Sequence, residues 1–311
     1  MRVVHMFQAI QCFAAQLLSV GGFRVTRLPK KAYQDLLTEY GEVLERAVIF
    51  LKPLIQLALL VEGCLIVDDT NNPKYGLARW ARTLFSPTTK GYSSGYKVVL
   101  FLWKWKYGTF PLGFALWHSQ SKKINQLFLD GISQLRNRFK LRPEKVLFDA
   151  AYFSNDVAKR LSDYGWTFVS RFSKARKLSG GSIQQQIRRG YGKIDGSLSN
   201  GIRVNVVRRK GYFVATNRML WESEKVIQAY KERWKVEECF RILKSCLKLN
   251  GCQQHSMRAQ ALYILMCLLL CASQMLISDQ SPYSSFQDVL SGKAKLETVL
   301  SERIVTFSFS L

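Results

Sequence analysis

The chain has 311 residues, with 46 Lys+Arg against 22 Asp+Glu, so its formal net charge is 46 − 22 = +24. Hydrophobic residues make up 48% and aromatics 13%, which excludes a disordered or low-complexity protein and can fill one large domain or two ordinary ones. A folded chain this basic suits a polyanionic partner. Its seven cysteines, none in a Cys-x-x-Cys pair, do not form a disulfide framework and read as reduced thiols.

Residues 1–62 read as a helical N-terminal region, with a helix expected from Lys31 to Phe50. The opening Val3 to Leu18 run is interrupted by Gln8, Gln11 and Gln16 and has no cleavage pattern, so an export signal is not expected. Leu65-Ile66-Val67 is a short apolar strand, ended by the turn-rich Asp68-Asp69-Thr70-Asn71-Asn72-Pro73. Residues 96–107 and Phe110 to Trp117 form a hairpin around Tyr107-Gly108-Thr109. An amphipathic helix over Ile124 to Phe139 precedes the buried strand Lys145 to Phe148, which runs into Asp149. Ser154 then caps a helix over Asn155 to Tyr164, followed by a strand at Trp166 to Ser170.

Residues 171–211 hold eleven Lys+Arg and one acid, Asp195, so this stretch carries +10 of the net charge, and glycines punctuate its short strands. It reads as a β-rich insertion facing a phosphate backbone, with Arg188, Arg189, Arg208 and Arg209 as candidate DNA contacts. A strand at Tyr212 to Thr216 leads into a long helix from Glu222 to about Leu249. The apolar run Ala261 to Ile277 reads as a buried helix and not a membrane span. The order of elements indicates a mixed α/β domain with helices covering a sheet.

Asp68 and Asp149 each end an apolar strand, where a side chain can leave the core for a cleft. Either alone has an ordinary turn explanation, and Asp69 competes with Asp68, which continues the apolar run more directly. The long helix is more informative. Tyr230, Arg233, Glu237 and Lys244 are spaced Y-x2-R-x3-E-x6-K and fall on one stripe about 60° wide. The stripe borders the face formed by Val236, Phe240, Leu243 and Leu247. A simple Arg233–Glu237 i,i+4 pair is the plain alternative. Phosphodiester chemistry would use all these groups: carboxylates hold divalent ions, Arg grips phosphate bidentately, and Lys acts as a point charge.

With these blocks the sequence resembles DDE transposases of the insertion-sequence-four family. The matching segments are Leu65 to Thr70, Val146 to Phe153, Ala215-Thr216-Asn217, and Tyr230 to Glu237 running on to Lys244. The resemblance implies a ribonuclease-H-like catalytic core, a mixed sheet flanked by helices, over residues 63–170 and 212–280. The basic β-rich insertion at 171–211 interrupts it, and a tail at 281–311 follows. It implies Asp68, Asp149 and Glu237 as catalytic, metal-binding residues for two Mg²⁺ ions, with Mn²⁺ substituting, and Tyr230, Arg233 and Lys244 as contacts to transposon-end DNA. The activity implied is cleavage at element ends and joining of the 3′-OH to a target by a homodimer acting on double-stranded DNA in the bacterial cytoplasm, nucleoid-associated. No membrane and no nucleotide cofactor enter this reading.

The 67 residues before Asp68 are short for the helical end-recognition domain usual in such proteins, which reads as a truncated domain, a decayed copy or an alternative start. Some relatives hold a flipped base with an insertion tryptophan; here Trp166 and Trp221 only flank the insertion, so that role is unassigned. Two rivals remain on sequence alone: a metal-dependent nuclease of the same fold without strand transfer, and a remnant that only binds DNA. A zinc site from Cys239, Cys246, Cys252 and His255 fits no familiar spacing. No G-x-x-x-x-G-K-[ST] loop is present.

Overall fold

The computed structural model describes residues 42, 44, 46–74, 80–86, 90–179, 181–187, 192–252 and 256–277. Most of the expected helix at Lys31 to Phe50 lies outside these residues. Its last three positions form a strand instead, β1 (Val48–Phe50), followed by helix α1 (Lys52–Leu60). The charge of Lys52 and the proline after it fall at the start of a new helix, where a missing N–H costs nothing.

Strand β2 (Gly63–Pro73) is far longer than its apolar part. The turn-forming residues from Asp68 onward stay extended because strand β4 (Gly91–Trp105) pairs with them along the whole length, from Gly63↔Trp105 to Pro73↔Gly95. Strand β3 (Arg82–Ser86) forms a second hairpin with the outer half of β4, and β5 (Gly108–Trp117) completes the expected one. Helix α2 (Ile124–Asn137) leads to β6 (Lys145–Phe148). Helix α3 (Asn155–Asp163), its N-terminus capped by Ser154 Oγ accepting from the Val157 N–H at 3.2 Å, leads to β7 (Thr167–Phe172). Strand β6 pairs in parallel with β2 on one side and with β7 on the other. Leu65, Ile66, Val67, Val146, Leu147 and Phe148 are all completely buried, as expected for central strands covered on both faces.

The basic stretch contributes two minimal strands, β8 (Lys177–Leu178) and β9 (Gly181–Ser182), and a single-turn helix, α4 (Ile183–Gln186). Its remaining strands, β10 (Gly192–Ser197) and β11 (Arg203–Arg209), lie beside β12 (Tyr212–Thr216) and extend the main sheet beyond β7. The sheet order is β1-β5-β4-β2-β6-β7-β12-β11-β10, with β3 paired to β4.

The long helix expected from Glu222 is instead a succession of helical types. Helix α5 (Ser223–Lys231) gives way to a 3₁₀ turn at Glu232–Trp234, then α6 (Lys235–Arg241), then a π-helical stretch at Ile242–Cys246. The expected apolar face is nevertheless correct, since Val236, Phe240, Leu243 and Leu247 are buried. Helix α7 (Met257–Ile277) packs on β5, and no helix among the described residues is long and apolar enough to cross a membrane.

Helices cover both faces of the sheet. On one, the rings of Phe128 in α2 and Phe148 in β6 meet at 5.0 Å, and α2 closes on Phe101 of β4 through Gly131. On the other, Tyr96 of β4 donates to Gln260 of α7 at 2.7 Å and accepts from Asn72 of β2 at 2.8 Å. A Cβ at Gly131 would stand 2.3 Å from Cζ of the fully buried Phe101 ring. Gly131→Ala should therefore lower stability by roughly 1–3 kcal/mol in urea unfolding, although helix propensity alone favours alanine by about 1 kcal/mol. An unchanged or raised urea midpoint would show that α2 does not seat on the sheet through this glycine.

Candidate active site

The two aspartates come together because their strands are parallel neighbours in register. Val67 pairs with Phe148, and the next residues are Asp68 and Asp149. Both side chains emerge where the apolar core ends, at the carboxyl side of the central strands, where open α/β sheets place their ligands.

Asp68 and Asp69 have different surroundings. Asp69 accepts from the Tyr152 hydroxyl at 2.8 Å and pairs with Lys97 at 2.7 Å, so its carboxylate is fully engaged inside the sheet. Asp68 accepts from the Asp69 backbone N–H at 2.9 Å through Oδ1, and its Oδ2 meets the Arg233 guanidinium. Burial pushes the Asp68 carboxyl up to about 7, opposed by Arg233 and reinforced by the nearby Asp69 and Asp149. This is an acid-rich, poorly hydrated spot with one cation against it.

The irregular helix supplies the rest. Tyr230, at the end of α5, donates to Asp149 Oδ1 at 3.4 Å, and burial raises its phenol pKa. Arg233 lies 5.6 Å from the centre of the Tyr230 ring and also reaches Glu237 Oε1 at 3.7 Å. It thus ties the strand carboxylate to the helix carboxylate. Glu237 is partly open to solvent, and Lys244 is exposed in the π-helical stretch, where Glu237 and Asp69 support its charge against desolvation.

The structure thus gathers Asp68, Asp149, Tyr230, Arg233 and Glu237, with Lys244 alongside. Among the described residues no three His, Cys, Asp or Glu side chains form a group spaced to hold a metal ion. The donor set is nevertheless three hard carboxylates from separate elements, and the guanidinium of Arg233 stands on two of them as a cation would. Carboxylates are the donors that hard divalent ions take.

Sequence reasoning missed Glu232. Beside Arg233 in the 3₁₀ turn, it points the other way and accepts from Lys145 of β6 at 2.6 Å, from Lys104 of β4 at 2.9 Å and from the Cys64 thiol of β2 at 3.6 Å. Burial pushes the Cys64 thiol up to about 12, so it stays a neutral donor. Nothing in the local sequence marks Glu232, because its partners lie on three strands far away in the chain. Of the four insertion arginines, Arg188 and Arg189 lie outside the described residues. Arg208 donates to the Ile187 carbonyl at 2.6 Å and sits over Phe213, while Arg209 pairs with Glu224 at 3.3 Å.

Residues 60–272, more than half of the chain, match the protein family described as "Transposase DDE domain". A search of curated proteins finds no match to this sequence. Among solved structures, the fold is similar to a piggyBac transposase synaptic complex with hairpin DNA, with a TM-score of 0.54 at 10% identity. The alignment covers 92% of this chain and 64% of that one, so this chain spans under two thirds of that protein's length. The likeness establishes the fold, a ribonuclease-H-like core of mixed sheet and flanking helices. A Drosophila P element transposase strand transfer complex aligns with a TM-score of 0.23 at 9% identity over 89% of this chain and 71% of that one, too low to support a comparison of folds.

Glu232 titrates below the ordinary carboxylate range despite its burial, because Lys145 and Lys104 bond it. A carboxylate depressed in the fold adds stability that is complete above its unfolded pKa of about 4.3 and is lost as pH falls through the folded value. Glu232→Gln should cost roughly 1–3 kcal/mol near neutral pH. Thermal melts of the two proteins should converge as the pH falls through the depressed pKa of Glu232. A constant difference between them at every pH would remove the charge-based account of this anchor.

Proposed function

The chain belongs to the Transposase DDE domain family, and from that premise we propose that it is a DNA transposase of a bacterial insertion sequence, cutting DNA at element ends and joining the freed 3′-OH to target DNA. The observation that carries this reading is the convergence of Asp68, midway along β2 where its apolar part ends, and Asp149, just past the end of β6, with Glu237 on the helical segment that also supplies Tyr230 and Arg233. The insertion-sequence-four signature is the finer assignment, supported by the Y-x2-R-x3-E-x6-K spacing.

In this reading Asp68, Asp149 and Glu237 hold divalent ions, Mg²⁺ by the hardness of the donors and two in number by the demands of phosphodiester exchange. When bound, such ions make water or a 3′-hydroxyl nucleophilic and neutralise charge on the reacting phosphate. The chain's own groups have separate tasks. The Asp69 N–H fixes the rotamer of Asp68. Tyr230 orients Asp149 through its hydroxyl and offers its ring to Arg233. Arg233 neutralises the carboxylates before DNA arrives and then turns to the phosphate, which its planar fork can grip bidentately. Lys244, exposed beside Glu237, meets a neighbouring phosphate.

The partner is double-stranded DNA, which the net charge of +24 favours over long range. Two copies would bring two ends together, acting on DNA in the cytoplasm.

The test uses a supercoiled plasmid carrying the element's own ends, with Mg²⁺ or Mn²⁺. Glu237→Ala and Asp149→Asn should each lower cutting by about 10³-fold or more, the scale of losing several kcal/mol of transition-state stabilisation. Their DNA affinity should stay close to wild type, and a chelator should stop the wild type altogether. Cutting that persists in Glu237→Ala would remove it from the triad. Metal-dependent cutting without joined products would make the protein a nuclease of the same fold.

A further inference from the structure

The β3–β4 hairpin carries an exposed aromatic pair that no role in the site accounts for. Phe85 and Tyr92 face each other across it, with ring centres 5.4 Å apart, and are 49% and 75% exposed. Thr83 and Ser94, the next residues on the same face, are also exposed, while Leu84 on the opposite face is buried and seats the hairpin. Asn71 of β2 donates to the Phe85 carbonyl at 2.9 Å and ties the hairpin to the strand that carries Asp68.

Two further observations indicate the partner. No acidic residue occurs between Asp69 and Asp130, and Lys90, just before β4, is exposed, while Lys74, Arg82 and Lys97 bond within the protein, Lys97 to Asp69. The strand register also sets the pair's position. Leu100 of β4 stands opposite Asp68, and Tyr92 is eight residues along the same strand. An even step places Tyr92 and Phe85 on the face of the sheet that carries Asp68. Eight extended residues span about 26 Å, or roughly eight base pairs at 3.4 Å each. Lys244 and Lys248, both exposed, belong to the segment between the two places.

Resting on the transposase reading, we infer that the outer face of the β3–β4 hairpin is a second DNA contact, where Phe85 and Tyr92 pack against bases and sugars roughly eight base pairs from the scissile phosphate. A surface without acidic side chains and with Lys90, Lys244 and Lys248 exposed admits the backbone, and exposed rings held in place by a buried leucine and an asparagine offer apolar surface that duplex ends, distorted steps or unpaired bases can cover. The hairpin thereby adds a grip on DNA that is insensitive to the catalytic carboxylates.

The experiment measures binding of fluorescein-labelled duplexes of the element's terminal sequence by anisotropy, in EDTA so that cutting is off. One duplex extends about twelve base pairs on each side of the cut, and two others are shortened to about four on one side or the other. Wild type should lose affinity on shortening one particular side. Phe85→Ala/Tyr92→Ala should bind the full duplex about tenfold or more weakly and be indifferent to that shortening, with an unchanged thermal melt because both rings are exposed. Tyr92→Phe, which keeps the ring, should behave as wild type. A double variant that binds every duplex as wild type does would overturn the inference and leave the transposase reading standing. Failure of wild type to bind any of the duplexes would overturn both.

Discussion

Glu232 and Arg233, neighbours of opposite charge, fasten one turn of helix across the central strands of the sheet. Glu232 holds Cys64, Lys104 and Lys145 near the start of β2 and β6, and Arg233 holds Asp68 at the point where the apolar part of β2 ends. A regular α-helix would set consecutive residues about 100° apart. The tighter 3₁₀ turn is where the two side chains separate toward different ends of the strands. Tyr230 before the turn and Glu237 after it are placed by this attachment, and so is everything the site can do.

The same attachment explains how a carboxylate as buried as Asp68 is tolerated. Its backbone bond from Asp69 and its contact with Arg233 offset part of the desolvation, and the remainder shows as a carboxyl raised to about 7. Perturbed carboxylates of this kind cluster at functional sites, although structural ion pairs also produce them. Arg233 offsets the charge of both carboxylates that it touches, Asp68 and Glu237.

Much of this was legible in the sequence where local pattern and environment agree. The apolar runs before Asp68 and Asp149 marked central strands because burial on both faces requires unbroken hydrophobicity. The face with Val236, Phe240, Leu243 and Leu247 survived the irregular helix because burial selected it. Strand continuity favours Asp68 over Asp69 as the site residue; in the fold Asp69 binds Tyr152 and Lys97, and Asp68 meets Arg233. Other features depend on partners remote in the chain. Turn-forming residues after Asp68 became strand because β4 pairs with all of them. Glu232 needs three strands assembled before it has any partner. Of the arginines that the basic β-rich insertion offers to DNA, Arg208 and Arg209 bind within the protein, because charge composition does not reveal which cations find internal acceptors.

The separation of Asp68 from Arg233 by 165 positions also has a consequence in time. During synthesis the β2–β4–β5 meander, built from neighbouring segments, can pair early, while the turn bearing Arg233 is still to be made. At 5–20 residues per second, roughly ten to thirty seconds pass between the first carboxylate of the set and its arginine. Through that interval Asp68 has neither its guanidinium nor the helical segment that packs over it. Maturation of the site is therefore a late folding event, and a nascent chain still on the ribosome carries the aspartates but no assembled centre.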